Sequence, residues 1–393
     1  MSSVLYMAWR YVAFNKGKTT VLVLSIALIA YLPAGLRVLL RQSEADLTAR
    51  AAATPLVIGA KGSPLELVLN TLYFESDVPA RTDFSEVSRV RESGLAQAIP
   101  MYVRFQVRSQ PIVGTSVEYF DYRGMEVAEG RAFAVLGECV LGADAAGELD
   151  ASVGGHVVSS PETVFDLAGV YPLRMKVVGV LAPTGTPDDG AVFCDIKTAW
   201  VIEGLGHGHV DMESREAAGG VLRREGNKVV ANASVVQYNE ITEENMASFH
   251  FHGDLSAFPI TAVVAVPVDE KASALLQGRY LSEEERVQIV RPDGVMEDLL
   301  DTVFTIESYV VAAVVVLGLS TLATAALVFV LSLRLRRREI ETMFKIGAAR
   351  GAVAGIIVTE IAVVIVVALA LAATLTAATA QVAPDLIRAI VLS

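Results

Sequence analysis

Three long stretches of the chain carry almost no charge, and they predict its architecture. Thr19 to Leu36 and Ser308 to Leu333 have no charged side chain, and Ala352 to Pro384 has only Glu360. A helix needs roughly 20 apolar residues to cross about 30 Å of hydrocarbon, so each stretch predicts a membrane span, the first slightly short. Pro33 is expected to kink the first span near its outer end, because an interior proline removes a backbone hydrogen bond. A cleaved signal peptide cut near Ala51 to Ala53 is the competing reading of that stretch, but such signals have apolar regions of roughly 7–15 residues. The hydrophobic fraction of 53% fits membrane content.

The segment Arg334 to Gly351, RLRRREIETMFKIGAARG, lies between the second and third stretches. A short basic loop beside spans marks the cytoplasmic side. Leu335, Ile340, Met343, Phe344 and Ile346 fall near one face at helical spacing, Arg338 and Glu341 lie on the other, and Gly347 offers a stop. The pattern predicts a short amphipathic helix over 335–350. It suits either a socket on a cytoplasmic partner or a position along the lipid headgroups.

Between the first and second stretches the pattern changes to short alternating runs broken by glycine, proline and aspartate. Met101–Val107, Ser116–Tyr122, Lys176–Leu181, Ala191–Cys194 and Ile260–Val268 predict strands, and Ser85–Gln97 and Asp269–Leu276 predict helices. Ser63 with Pro64 reads as a helix start, where Lys61 and the free N–H groups would suit either an anion or a plain cap. The expected fold class is an α-helical transmembrane bundle of three spans carrying a large α+β extracytoplasmic domain between spans 1 and 2. The expected boundaries are 1–42, 43–300 and 301–393.

Charge sharpens this topology. The chain has 32 basic and 44 acidic residues, a net charge of −12. No acid precedes Ser43, whereas Arg10, Lys16, Lys18, Arg37 and Arg41 do, so the acids concentrate in the middle domain. That balance argues against nucleic acid as a partner and is compatible with a cationic ligand. The basic N-terminus is expected to stay in the cytoplasm, which places the large domain and the C-terminus outside. Gly17-Lys18-Thr19 imitates the end of a phosphate-binding loop, but Val12 stands where the first glycine belongs and a lipid span follows.

The string RRREIETMFKIGAARGAV, followed by an apolar helix, resembles the coupling segment of the MacB/FtsX-type ABC transporter permeases, whose mechanism is mechanotransmission. Arg337, Arg338, Glu339, Ile340, Gly347, Ala348 and Arg350 stand on the family pattern, with Phe344 on the apolar face. Val57 to Leu69 is similar to a subgroup of MacB-like permeases, and Val140-Leu141-Gly142 and Val177 to Leu181 resemble the MacB-type periplasmic core. The resemblance implies a homodimer in a bacterial inner membrane and a separate cytoplasmic ABC ATPase that binds ATP and Mg²⁺ and grips the coupling helix. It also implies export or extraction of a substrate, or control of a periplasmic lipoprotein, adaptor or metal-binding protein. Family members usually carry a fourth span, and this sequence ends at Ser393 where one would begin.

The candidate chemistry lies in the histidines. His207-Gly208-His209 and His250-Phe251-His252 hold four of the five, and residues i and i+2 of a strand face one way. Each pair can therefore offer two imidazoles to one ion, with Asp211 and Asp254 as oxygen ligands or orienting groups and zinc as the first expectation. Two polar surface loops are the alternative. Cys139 and Cys194 suit either a disulfide, which an extracytoplasmic compartment permits, or two buried thiols. Glu360, inside the third span, is expected to face a protein partner. Cys139 with His156 gives no activated nucleophile, so the chain itself is expected to be non-catalytic and to bind no nucleotide. A metal-sensing or metal-delivering membrane receptor without an ATPase is the alternative function.

Overall fold

The computed structural model describes residues 3–75, 78–160, 172–208, 221–225, 228–231 and 239–391. The chain divides into two compact units, one of residues 1–47 and 298–393 and one of residues 48–297. The helix that holds the first apolar stretch runs on past it to Ala52, and the helix that holds the second starts well before it, at Pro292.

Two helices open the chain, α1 (Ser3–Phe14) and α2 (Lys16–Ala52). The helix runs through Pro33 without a break. Three helices close it: after the central unit come α9 (Pro292–Leu335), α10 (Arg337–Lys345) and α11 (Arg350–Val391). Within α2, α9 and α11, the segments Lys16–Arg41, Pro292–Leu335 and Arg350–Val382 are long and apolar enough to cross a membrane. Leu22, Val23 and Ala27 of α2 pack with Ala325 of α9 and Val364 and Ala368 of α11. Alanines at this seam let the helices approach closely, as membrane packing favours. Val315, Val316, Leu319, Leu322, Leu327, Val358, Val366 and Leu369 are exposed. Helices that are apolar all round suit a lipid solvent.

The central unit contains β1 (Leu56–Ala60), α3 (Pro64–Tyr73), β2 (Thr82–Asp83), α4 (Ser85–Glu92), β3 (Ala96–Val107), β4 (Gln110–Thr115) and α5 (Glu118–Arg123). There follow β5 (Val127–Gly130), β6 (Glu138–Leu141), α6 (Ala143–Glu148), β7 (His156–Val158), β8 (Arg174–Leu181), β9 (Val192–Asp195), α7 (Ile196–Ile202) and β10 (Gly206–His207). The remainder is β11 (Val221–Glu225), β12 (Lys228–Ala231), β13 (His250–Phe251), β14 (Pro259–Ile260), β15 (Ala262–Pro267), α8 (Glu270–Gly278) and β16 (Val287–Val290).

A ten-stranded sheet runs β16-β1-β15-β3-β4-β9-β6-β8-β5, with β7 also on β8. The pairs β4–β9 and β6–β8 are parallel and the rest antiparallel. Tyr102, Ile58, Leu141, Met175 and Trp200 belong to one fully buried core. This is the expected α+β domain. Two elements differ from expectation. Ser116–Tyr122 holds helix α5 instead of a strand: the adjacent Tyr119 and Phe120 are both buried, which one face of a strand cannot do, and Gly124 at φ +63° ends the helix. The helix predicted over Ser85–Gln97 stops at Glu92, Gly94 turns at φ +67°, and Ala96 already pairs with Pro267 in β15.

Candidate functional site

The basic segment folds as the amphipathic helix its spacing predicts, but shorter: α10 covers Arg337–Lys345 and not 335–350, because Leu335 ends α9 and Arg350 begins α11. Gly347 at φ +98° makes the turn, with the N–H groups of Gly347 and Ala348 donating to the carbonyls of Phe344 and Met343. Arg337, Arg338, Glu339, Phe344 and Arg350 are exposed, Ile340 and Ala348 half-buried. Arg337 Nε lies 2.9 Å from Glu341 Oε1 along the helix. The exposed row presents charges of both signs and one aromatic ring.

Arg336, immediately before α10, is what ties it to the bundle. Its Nη1 lies 3.2 Å from Glu360 Oε2, and its Nε 3.4 Å from Glu339 Oε2. The other carboxylate oxygen of Glu360 is 3.4 Å from Lys18 Nζ, which also donates to Ser332 Oγ at 2.9 Å. Lys18 sits 4.8 Å over the Phe329 ring. One buried carboxylate therefore joins the starts of α2 and α11 to the entry of α10. The partners Glu360 finds within its own chain are thus Lys18 and Arg336. Glu307 is likewise paired within the chain, with Arg37 at 3.3 Å.

The histidines form the second site. β10 and β13 pair antiparallel with Gly206 opposite Phe251 and His207 opposite His250. Alternation then sorts the side chains: His207, His250 and His252 share one face, Gly206, Gly208, Phe249 and Phe251 the other. A Cβ on Gly206 would sit 2.4 Å from the Phe251 ring and one on Gly208 2.5 Å from that of Phe249. The glycines between the histidines thus make room for aromatic rings. Behind Phe251 stand Trp200 and Phe258, with centroids 6.3 and 6.0 Å from it, and Trp200 Nε1 donates to the Pro259 carbonyl at 2.8 Å. On the other face, one ligand nitrogen from each of His207, His250 and His252 lies within 4.8 Å of the others. His250 Nδ1 is 2.9 Å from the Ser248 carbonyl oxygen.

His209 and Asp211 lie outside the described residues. Asp254 is not brought into the histidine group: its Oδ1 accepts from Ser256 N at 2.9 Å, capping the turn Leu255–Ala257, and that bond holds its carboxyl below the usual range. Lys61 donates to the carbonyls of Ser282 and Glu283, and Ser63 Oγ accepts from Glu66 N, so the cap and not the anion describes this turn. His156 Nε2 lies 3.2 Å from Glu240. Cys139 and Cys194 are register partners across β6–β9, and both are free and fully buried, the arrangement of the two-thiol reading. Burial raises both thiol pKa values well above normal. A thiol reagent is therefore expected to label neither in the folded chain and both after denaturation without reductant. Silence after denaturation would show them bonded.

Sequence reasoning missed one cluster. Arg50, in the last turn of α2, makes a two-pronged pair with Asp188, at 2.6 and 2.9 Å, donates to Tyr119 Oη at 3.0 Å and also to the Leu72 carbonyl. All three side chains are buried.

An acidic α+β domain inserted between membrane-capable helices, with a basic helix hung between the last two, defines a membrane protein with an extracytoplasmic domain. Residues 23–234 match the family described as the MacB-like periplasmic core domain, and the chain belongs to that family, the MacB/FtsX-type ABC transporter permeases. It is an inner-membrane protein with an extracytoplasmic domain, and its family works with a cytoplasmic ABC ATPase and as dimers. The periplasmic region of MacB from Actinobacillus actinomycetemcomitans is similar at a TM-score of 0.33 and 12% identity, covering 63% of this chain and 92% of that one. The extracellular domain of the noncanonic ABC-type transporter YknZ from Gram-positive bacteria is similar at 0.31 and 14%, covering 60% and 98%. No curated protein matches the chain.

Proposed function

We propose that this chain is the permease subunit through which a separate ATPase drives its extracytoplasmic domain, as a homodimer with three spans per protomer and the N-terminus in the cytoplasm. In this reading ATP and Mg²⁺ bind the partner alone. ATP-driven closure of the partner pushes α10, and α2, α9 and α11 carry the displacement outward as mechanotransmission. The work falls on a substrate exported or extracted outside the membrane, or on a periplasmic lipoprotein or adaptor.

The observation that supports this is the placement of α10. Its charged residues are exposed, and its entry is tied through Arg336 and Glu360 to Lys18 of α2. A headgroup-lying helix has no need of that tie. The charge swap Arg338→Glu with Glu339→Lys is expected to abolish co-purification of the ATPase, while leaving expression and membrane insertion intact, since both positions are exposed. The histidine cluster favours a second reading, a metal-handling receptor. Full cellular activity of the charge-swapped chain without any bound ATPase would select it and overturn the first.

A further inference from the structure

We propose that His207, His250 and His252 form a binding site for a divalent first-row transition cation, zinc above all, on the edge of the extracytoplasmic domain, independent of whether an ATPase drives the chain. Three features carry this beyond the mere presence of histidines. The first is convergence from distant positions: two strands far apart in sequence are paired so that His207 stands opposite His250, with His252 following on the same face. Their ring centroids lie 4.8, 5.0 and 4.7 Å apart.

The second is the oriented ring. A carbonyl oxygen only accepts, so the contact at 2.9 Å makes Nδ1 of His250 the N–H donor to Ser248. That leaves the Nε2 lone pair as the ligand atom, the arrangement by which an outer partner fixes the tautomer of a metal-binding histidine. The third is the rigid back. Phe249 and Phe251 cover glycines on the reverse face, and Trp200 and Phe258 hold Phe251, so the short β10–β13 ladder is braced by the core while its histidine face is half-buried to exposed.

Tetrahedral zinc with bonds of about 2.0–2.1 Å holds its nitrogens roughly 3.4 Å apart. The three nitrogens, all within 4.8 Å of one another, need side-chain rotations of about an ångström to reach that spacing. An all-nitrogen set selects zinc, copper or nickel over magnesium and calcium, which take oxygen. Three nitrogens fill three positions of the shell, and a water or another donor takes the fourth, the pattern of sites whose ion remains reachable by incoming ligands.

The test uses the full-length chain in detergent, purified through a tag without histidine, stripped of metal and titrated with Zn²⁺ by equilibrium dialysis. One zinc per chain is expected. His250→Ala and His252→Ala should each weaken binding by more than about 100-fold, exceeding the roughly 10–100-fold lost when an outer partner is removed, whereas His156→Ala should change nothing. His252 is exposed and follows the ladder, so its variant keeps the fold if that of His250 does not. Co²⁺ in place of zinc should give the intense visible bands of a tetrahedral site. Zinc binding unchanged in the His252 variant, or weak octahedral cobalt bands, overturns the site. Loss of ATPase association leaves this result untouched, so the two proposals fail separately.

Discussion

Replacing Asp188 by alanine is expected to destabilise the chain by about 3–5 kcal/mol, because it leaves the Arg50 guanidinium buried without its counter-charge. The exposed side-chain fractions of the pair are 7% and 3%, so water cannot take over the lost bonds. The pair itself need not be a large net source of stability, since both charges were desolvated to form it. The double variant Arg50→Met with Asp188→Leu should therefore recover most of what the single variant loses. Denaturant unfolding followed by tryptophan fluorescence measures both. An Asp188→Ala chain as stable as wild type would show that the pair is not formed. Acid gives the same cluster a second readout. Burial by itself would raise the Asp188 pKa, but the charge and hydrogen bonds of Arg50 outweigh it and hold the carboxyl below its ordinary value of 3.8. A depressed carboxyl contributes stability above its unfolded pKa and loses it as pH falls through the folded value. The contribution is thus full at neutral pH and starts to be lost only as pH falls below about 4, and the double variant should lack that step.

The position of Arg50 gives the cluster a part in the proposed mechanism. It closes α2, whose earlier residues Lys16–Arg41 form the first membrane-capable segment. A cation in the last turn also meets the negative end of the helix dipole. A shift of α2 along its axis in the proposed mechanism would act on Asp188 directly, and through it on the loop Pro187–Gly190, where Asp189 accepts from the backbone of Thr184 and Gly185.

Features encoded locally were readable and pairings between distant residues were not. Runs without charge predicted the three apolar helices, and the 3.6-residue spacing of Ile340, Met343 and Phe344 predicted α10, since both patterns depend only on near neighbours. The H-x-H spacing placed His250 and His252 on one face, but nothing local says that His207 lies opposite His250, because register is set by the whole sheet. Asp188 read as turn punctuation between Pro187 and Gly190. Its partner Arg50 is 138 residues away, a separation that no pattern window spans. Ser116–Tyr122 went wrong because aromatic, β-prone residues packed two neighbours inward from a helix, an instance of burial overriding propensity. For Glu360, composition showed that a partner was required and could not show which.

Replacing Glu360 by leucine is expected to have the second large effect, on coupling as much as on stability. The change leaves Lys18 and Arg336 as two cations without the carboxylate between them, again a loss of about 3–5 kcal/mol for a buried partner. Arg336 keeps Glu339, which is on α10 itself, so the helix would remain folded while its tie to α2 and α11 is gone. Glutamine at the same position keeps the shape and two hydrogen-bonding atoms but not the charge, and should fall between leucine and wild type. A double-mutant cycle of Glu360→Gln with Lys18→Gln isolates the pair. Coupling of about 0.5–3 kcal/mol in thermal unfolding of the detergent-solubilised chain is expected for groups in one network. In the reconstituted complex the Glu360→Leu chain should still bind the ATPase through the exposed face of α10, while hydrolysis no longer responds to the state of the extracytoplasmic domain. If binding is lost instead, Glu360 shapes the docking surface and not the transmission. If neither binding nor response changes and the cycle gives no coupling, the carboxylate is not the joint between α10 and the bundle.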